Sequence, residues 1–471
     1  MSTHPLEELI HPRSIAVVGA SGTGRGGGFV APLQELGFKG EIYPVNPKYS
    51  EIMGLKAYAR VSDIPGPVDY VISSIPASQV LGLIADSAEK GVRLVHLFTA
   101  RFGETGRAHA AELEQEILRE ARKAGIRLIG PNCMGLYYPA EGIAFNQGMP
   151  KESGSVGLAS QSGQAVGEIT GFAAQRGVRF SKAISYGNAL DFNECDYLDY
   201  FTQDPETNLI LLYIEGVRDG PRFLDSLRAA AAVKPVVVVK GGRGDAGTRA
   251  TASHTASLAG SREIWNTVVN QAGVVTAADL EELVDIAVSF YFLPPVYGRR
   301  VGVVGGSGGS SVLGADLCEE AGLDVIPLPN DIRDELRRQE NPVWDWIGNP
   351  ADFSITGHDN SDGDITRLVA RHPDFDLLII FVHGPWHRGP EPFSLDKHLE
   401  RYRLDDLSGK PALLVLQDRP RGMGGDDTAE YQRIMAEMQE RFVKDGRPLY
   451  PNVGRAASAV SKMIDYYQRK G

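Results

Sequence analysis

SIAVVGASGTGRGGG, residues 14–28, is a short apolar run that ends in a glycine-rich turn. A buried strand reads this way when it feeds a tight turn and then a helix. Glycines let a backbone approach a pyrophosphate closely, and the helix that follows offers unpaired N–H groups. Ala20, Ser21, Gly22 and Thr23 are therefore candidate contacts for a nucleotide-bearing ligand. NAD, NADP, FAD and CoA proteins all use such a loop, so the next strand must discriminate. A site for NAD wants Asp or Glu at that strand's end, to hold the ribose diol. Here the strand ends Pro44-Val45-Asn46-Pro47-Lys48, with a lysine and no carboxylate. Asn46 and Lys48 thus favour a ribose that carries an extra phosphate, as in CoA or NADP. A solvated lysine on a proline turn fits the same residues.

Outward from this stretch, apolar runs alternate with helical patterns. Runs at 41–45, 70–75, 93–98 and 126–130 are separated by helical patterns such as 77–90 and 106–123. The scheme repeats with runs at 155–159, 180–185, 209–214, 236–240 and 274–276, and again at 300–304, 324–328, 377–382 and 412–417. Helices are expected over 164–175, 222–232 and 454–468, and Leu293-Pro294-Pro295 reads as a linker. Alternating strand and helix predicts an α/β protein of parallel, doubly wound sheets. Such sheets bind ligands beyond the strand C-termini. That adds Ile75 and Pro76, then Phe98, Thr99 and Ala100, then Asn132, to the candidate ligand contacts.

Composition narrows the class. The chain has 471 residues, too many for one typical domain. Apolar content of 42% and charged content of 23% are those of a globular protein. A net charge of −12 argues against a nucleic-acid binder, which needs a basic face. Cys133, Cys195 and Cys318 lie far apart and in no metal-ligand spacing, so neither a disulfide framework nor a metal site is expected. The opening MSTHPLEELIHPRS lacks an apolar signal core, and the apolar runs are strand-length, far short of the roughly 20 residues that span a bilayer. No membrane and a cytoplasmic location are expected.

A second chemistry is written further along. Ser160-Gln161-Ser162-Gly163 and Gly306-Ser307-Gly308-Gly309 each join a strand to a helix. Ser162, Gly163, Gly308 and Gly309 are candidate phosphate contacts at helix N-termini, although each turn also reads as a plain tight turn. Neither is a Walker A loop. His254 sits in Ala252-Ser253-His254-Thr255-Ala256-Ser257, after a strand and a glycine turn. Imidazole on a small-residue loop suits a nucleophile that carries a group between sites; a surface histidine near a helix start has the same look. Glu215 ends an apolar strand and is placed to orient an imidazole, or to cap a helix. His383 and His387 flank Trp386, and Trp344-Asp345-Trp346 precedes Gly348-Asn349-Pro350, as a lining or as packing.

These motifs together resemble the NDP-forming acyl-CoA synthetase superfamily, on the side of the ADP-forming acetyl-CoA synthetase α chain and its relative succinyl-CoA synthetase. The carriers, in order, are GASGTG with IYPVNPK, IGPNCMGL, LASQSGQAVGE, ISYGNALDFNECD, ILLYIEGVRDG, PVVVVKGGRGDAGTRATASHTASLAGS, VGVVGGSGGSSVLGADLCEEAGL and GNPADF. The resemblance implies a CoA-binding Rossmann domain over 1–148 and two flavodoxin-like, succinyl-CoA synthetase-like domains over 149–296 and 297–471. It implies CoA as ligand, His254 as the phosphorylated residue, and Glu215 as its support. The family's reaction turns acid, CoA and NTP reversibly into acyl-CoA, NDP and phosphate, through an acyl phosphate. The family's ATP-grasp domain has no counterpart in these residues. ATP or ADP and Mg2+ are therefore expected to come with a separate ATP-grasp β subunit, in an α2β2 heterotetramer. Two positions depart from relatives. Gly167 stands where succinyl-CoA synthetase has a substrate-contacting tyrosine, and Arg101 stands where relatives often have a small residue. An NADP-dependent oxidoreductase and a non-catalytic CoA-binding protein are the competing readings.

Overall fold

The computed structural model describes residues 4–21, 28–244, 246, 247, 249, 261–341, 343–353, 361–384, 394–417 and 429–470. Gly22, Thr23, His254, Trp386 and His387 lie outside the described residues. The chain forms two compact units. One comprises residues 1–174 and 178–283, the other residues 175–177 and 284–471.

The first unit holds two large sheets. In the first, β1 (Ser14–Val18), β2 (Glu41–Val45), β5 (Tyr70–Ser73), β6 (Leu94–Leu97) and β7 (Arg127–Ile129) lie in the order β2-β1-β5-β6-β7, all parallel. Between β2 and β5 the chain makes a small hairpin, β3 (Glu51–Ile52) with β4 (Leu55–Lys56). In the second sheet, β8 (Gly135–Tyr137), β9 (Val156–Ser160), β10 (Phe180–Ser185), β11 (Leu209–Ile214), β12 (Val236–Lys240) and β13 (Val275–Ala277) run in the order β13-β12-β11-β9-β10-β8. Only β8 is antiparallel among them. Strands covered by helices on both faces are apolar throughout, not alternating. Val236-Val237-Val238-Val239-Lys240 is buried at all five positions.

The second unit holds β14 (Val301–Gly306), β15 (Ala351–Asp352), β16 (Leu377–His383), β17 (Ala412–Gln417) and β18 (Leu449–Tyr450), parallel in the order β15-β14-β16-β17-β18. Its core packs Val304, Leu336, Ile365, Ile380, Leu414 and Met438 together. The expected strand 324–328 does not form. Only a single bridge joins Asp324 to Arg300. Pro327 and Pro329 lack the N–H that a ladder needs. Asn349 supplies strand-like bonds there instead: its Oδ1 accepts from the Val303 N–H at 2.8 Å, and its Nδ2 donates to the carbonyls of Val301 at 2.9 Å and Ile326 at 2.8 Å. The GNPADF motif is thus a packing element at this edge.

In each sheet the chain reverses its direction of winding at the strand that opens the block. β1 lies between β2 and β5, β9 between β11 and β10, and β14 between β15 and β16. Crevices at such switch points are where open α/β sheets take ligands. Each of the three glycine turns read from the sequence leaves the C-terminal end of one of these strands.

Candidate active site

At the first switch point a cleft of about 620 Å3 opens beyond β1, β2 and β5. Gly19, Asn46, Lys48, Ser74, Ile75 and Pro76 are among the residues that line it. Gly19 has φ +85°, and a Cβ there would stand 3.0 Å from Ser74 Oγ. The floor of the cleft therefore requires glycine. The Asn46 amide donates to the Ala20 carbonyl at 2.7 Å, and its oxygen accepts from the Lys48 N–H at 3.0 Å. Asn46 thus shapes the turn with both ends of its side chain, leaving Lys48 exposed on the rim. Arg60, which sequence reading missed, stands on another wall of the cleft. Its guanidinium donates to Asp86 Oδ1 at 2.7 Å. No motif surrounds Arg60; only the fold brings it here.

The strand ends beside this cleft carry Phe98, Thr99 and Ala100. Thr99 Oγ1 donates to the Ile75 carbonyl, and the Phe98 N–H donates to the Ser73 carbonyl at 3.0 Å. Phe98 is 42% exposed, its ring set edge-on to Phe29. Arg101 holds φ +81°, a left-handed backbone that usually belongs to glycine. Glu104 steadies it by accepting from the N–H groups of Arg101 and, at 3.0 Å, Phe102. The Asn132 N–H donates to the Thr99 carbonyl at 3.0 Å, so the segment 130–135 runs beside this loop. Behind it lies His96 on β6, fully buried, its Nε2 donating to the Cys133 carbonyl at 3.0 Å. Burial pushes this imidazole down to about 4.

The segment 130–135 continues to the second switch point. The Met134 N–H donates to Ser185 Oγ at 3.1 Å, and a Cβ on Gly163 would stand 3.0 Å from Met134 Cγ. Ser162 caps helix Gly163–Gln175, its Oγ accepting from the Ala165 N–H at 3.2 Å. The N–H groups ahead of Ala165 have no acceptor within that helix, as an anion site needs. A Cβ on Gly167, one turn along, would meet nothing nearer than Asn146 Nδ2 at 3.9 Å. That face of the helix is open.

Glu215, 7% exposed, follows β11 and sits beside this turn. Gln161 joins the two: its Oε1 accepts from the N–H groups of Glu215 and, at 2.9 Å, Gly216. The Tyr213 hydroxyl bonds to the Glu215 side chain; burial first, then that carboxylate, raise the phenol above its ordinary range. Lys240 at the end of β12 donates to the carbonyls of Glu215 at 2.6 Å and Gly241 at 2.5 Å. Burial pulls this lysine below its usual value, against the opposing charge of Glu215. Gly241 passes so close that a Cβ would stand 2.8 Å from the Tyr213 hydroxyl and 3.3 Å from Glu215 Cγ. Gly241 leads into the stretch that bears His254. Ser261 caps helix Arg262–Ala272, and the Trp265 ring there lies 5.8 Å from Lys240 Nζ. Lys240, beside Glu215, thus begins one flank of that stretch and faces the helix that follows the other.

In the second unit, β14 runs into helix Gly308–Glu320. Ser307 and Ser310 form a capping box, with the Ser307 N–H donating to Ser310 Oγ at 2.9 Å. Gly308 and Gly309 open the helix, and around Gly309 a Cβ would meet nothing within 4 Å. His383 Nε2 donates to the Gly305 carbonyl at 2.6 Å, so His383 braces this turn. Trp344 packs against the core of this unit, while Trp346 is 45% exposed.

Comparison with known proteins places this geometry. Residues 13–139 match a CoA binding domain, 153–290 a succinyl-CoA ligase like flavodoxin domain, and 301–395 a ligase-CoA domain. The α subunit of acetate–CoA ligase (ADP-forming) II from Pyrococcus furiosus is 32% identical over 467 residues, 99% of each chain. Acetate–CoA ligase (ADP-forming) II of Archaeoglobus fulgidus is 35% identical over 99% of this chain and 67% of its own length. The dinucleotide-forming acetyl-coenzyme A synthetase 1 of Ca. Korarchaeum cryptofilum, solved with phosphate and ADP, superposes with a TM-score of 0.80 at 31% identity, covering 99% of this chain and 98% of its own. The chain belongs to the family of ADP-forming acetate–CoA ligase α subunits, within the NDP-forming acyl-CoA synthetases. It is an acid–thiol ligase with a CoA-binding Rossmann domain and flavodoxin-like ligase domains. The oxidoreductase reading and the binding-only reading fall away.

Proposed function

We propose that this chain carries the acyl and CoA chemistry of its ligase through an acyl phosphate and a phosphohistidine at His254. The observation that carries the reading is the junction at Glu215. One carboxylate stands beside the Ser162–Gly163 helix turn, through Gln161, and beside Gly241, where the His254 stretch departs. Starting from acyl-CoA, phosphate attacks the thioester carbonyl, the C–S bond breaks, and CoA leaves as the thiol. An imidazole nitrogen of His254 then attacks phosphorus, and the P–O bond to the acyl group breaks, releasing the carboxylate. NDP finally takes the phosphoryl group from the histidine. Glu215 holds the other ring N–H, fixing the tautomer that attacks. The helix N-terminus at Ser162–Gly163 suits the phosphoryl oxygens, and the one at Gly308–Gly309 suits an anion in its own unit.

CoA fits the first cleft. Its volume of about 620 Å3 is that of a small-molecule site, and Lys48 on the rim suits a phosphate. Ala20, Ser21, Gly22 and Thr23 would follow the pyrophosphate, with Asn46 shaping the turn. Ile75 and Pro76, then Phe98, Thr99, Ala100 and Asn132, would face the rest of the molecule. Working domains are 1–148 for CoA, 149–296 for the histidine, and 297–471 for the second phosphate helix. Nucleotide and Mg2+ enter with a separate ATP-grasp β subunit in an α2β2 assembly. Two facts support this: relatives of equal length are named α subunits, and in the A. fulgidus relative the matched region is 67% of a longer chain. The three cysteines are buried and unpaired, in keeping with a cytoplasmic site.

The test is reconstitution. With its ATP-grasp partner the chain should release thiol from acetyl-CoA when phosphate and ADP are both present. Alone it should not turn over. Sustained turnover by the pure chain alone refutes the division of labour.

A further inference from the structure

The geometry points to Asn188 as a positioning residue that couples the loop beside the CoA cleft to the strand end bearing Glu215. The inference rests on the phosphohistidine reading above. Asn188 is 5% exposed and spends every polar group it has. Its Nδ2 donates to Glu104 Oε2 at 2.7 Å and to Glu114 Oε1 at 3.1 Å. Its Oδ1 accepts from Asn132 Nδ2 at 3.3 Å, and its N–H donates to the Pro131 carbonyl at 3.0 Å. Its own carbonyl accepts from Arg218 Nη2 at 2.6 Å.

Each partner leads to a working part. Glu104 pins the N–H groups of Arg101 and Phe102, the left-handed turn that follows Phe98-Thr99-Ala100. Glu114 accepts from the Gly103 N–H at 3.2 Å, so both carboxylates hold one loop. Asn132 donates to Asn188 with its side chain and to the Thr99 carbonyl with its N–H. On the other side, Arg218 lies three residues beyond Glu215. Its N–H donates to the buried Glu194 Oε1 at 3.1 Å, so this turn is fixed at both its backbone and its side chain.

Two carboxylates facing one amide make this arrangement hard to deform. Burial raises the Glu114 carboxyl, Asn188 and Arg218 oppose that rise, and the like charge of Glu104 adds to it. Any shift of the loop moves Glu104, which must carry Asn188 with it or lose a charge-assisted bond in a partly buried setting. Asn188 in turn pulls the Arg218 turn. A ligand that loads the 98–104 loop is thereby felt at Glu215, and occupancy of the CoA cleft sets how readily His254 is phosphorylated. A small neutral side chain would satisfy packing alone; the amide is needed because it donates to both acids and accepts from Asn132.

The test uses the full chain, labelled acetyl phosphate as donor, and desulfo-CoA, which fills the cleft but offers no thiol. The rate of label entering His254 is measured with and without desulfo-CoA. In the native chain the two rates should differ about fivefold, a usual size for coupled sites. In Asn188→Ala the label should still form, but the ratio should fall to near one. Glu104→Gln, which turns one acceptor into a donor facing the Asn188 amide, should do the same if the alanine variant folds poorly; its melting curve reports folding separately. A purely structural role would slow both rates together and leave the ratio unchanged. A native ratio of one, or a ratio that survives both substitutions, overturns the coupling and leaves the phosphohistidine intact. No label in the native chain removes the phosphohistidine reading, and the coupling with it.

Discussion

Asp191→Ala is expected to destabilise the first unit by about 2–3 kcal/mol. Asp191 has a fully buried carboxylate. It accepts from Arg127 Nε at 2.7 Å, Arg122 Nη2 at 3.0 Å and the Leu128 N–H at 3.0 Å. Removing it from a buried pair would cost about 3–5 kcal/mol if both cations stayed dry. They do not. Arg122 is 59% exposed and Arg127 33% exposed, so water recovers part of the loss, while Arg127 keeps its contact over the Phe192 ring. The Leu128 N–H, buried and orphaned, accounts for about 1–3 kcal/mol by itself. The loss settles at about 2–3 kcal/mol. At about 2–4 °C per kcal/mol for a unit of this size, the first unfolding transition should drop by roughly 4–12 °C. Asp191→Asn keeps an acceptor for Leu128 and should lose less than half as much. Differential scanning calorimetry measures both. An alanine variant melting within about 1 °C of the native chain, or an asparagine variant that is the worse of the two, would refute the reasoning.

Lys48→Ala should weaken CoA binding about tenfold by isothermal titration, since one phosphate contact is lost; NADPH binding tighter than CoA would contradict the cleft assignment. Gly241→Ala should leave CoA affinity unchanged but slow histidine labelling about a hundredfold, because its Cβ would press on Tyr213 and Glu215. Weakened CoA binding with unchanged labelling would show that the clash is relieved elsewhere. His96 titrates near 4 when folded and near 6.5 when unfolded. Its contribution is therefore complete above pH 6.5 and is lost as pH falls toward 4, about 2 kcal/mol between pH 7.5 and pH 5. Urea midpoints of His96→Gln, whose amide can keep the bond to the Cys133 carbonyl, should fall less steeply over that range; parallel curves would assign the acid limb to other groups.

The central strands were legible because their residues are buried on both faces. Leu209–Ile214 is a continuous apolar run, as is Val236–Val239 before Lys240, and the structure places strands over Leu209–Ile214 and Val236–Lys240. The glycine turns were legible because a switch point demands tight backbone, as Gly19 shows against Ser74. Three very short edge strands were not. Gly135–Tyr137, Ala351–Asp352 and Leu449–Tyr450 are two or three residues long, too short for any period to register. The run 324–328 misled because its apolar residues outweighed two prolines that deny it a ladder. Around the site, Glu215 announced itself at a strand end. Asn188, Glu104 and Glu114 did not, because Asn188 meets its acids across 84 and 74 residues of chain, where spacing carries no signal. Arg60 was hidden for the same reason.

The most direct measurement is the chemistry of the label left on the chain by acetyl-CoA and labelled phosphate. A phosphoramidate is acid-labile and base-stable, whereas an acyl phosphate on a carboxylate is lost in alkali. The label should vanish in acid, survive in alkali, and map to the peptide bearing His254. It should be absent in His254→Ala and form about 10 to 100 times more slowly in Glu215→Gln, where the imidazole loses its orienting carboxylate. Full turnover by His254→Ala, or a label that resists acid, would contradict the account.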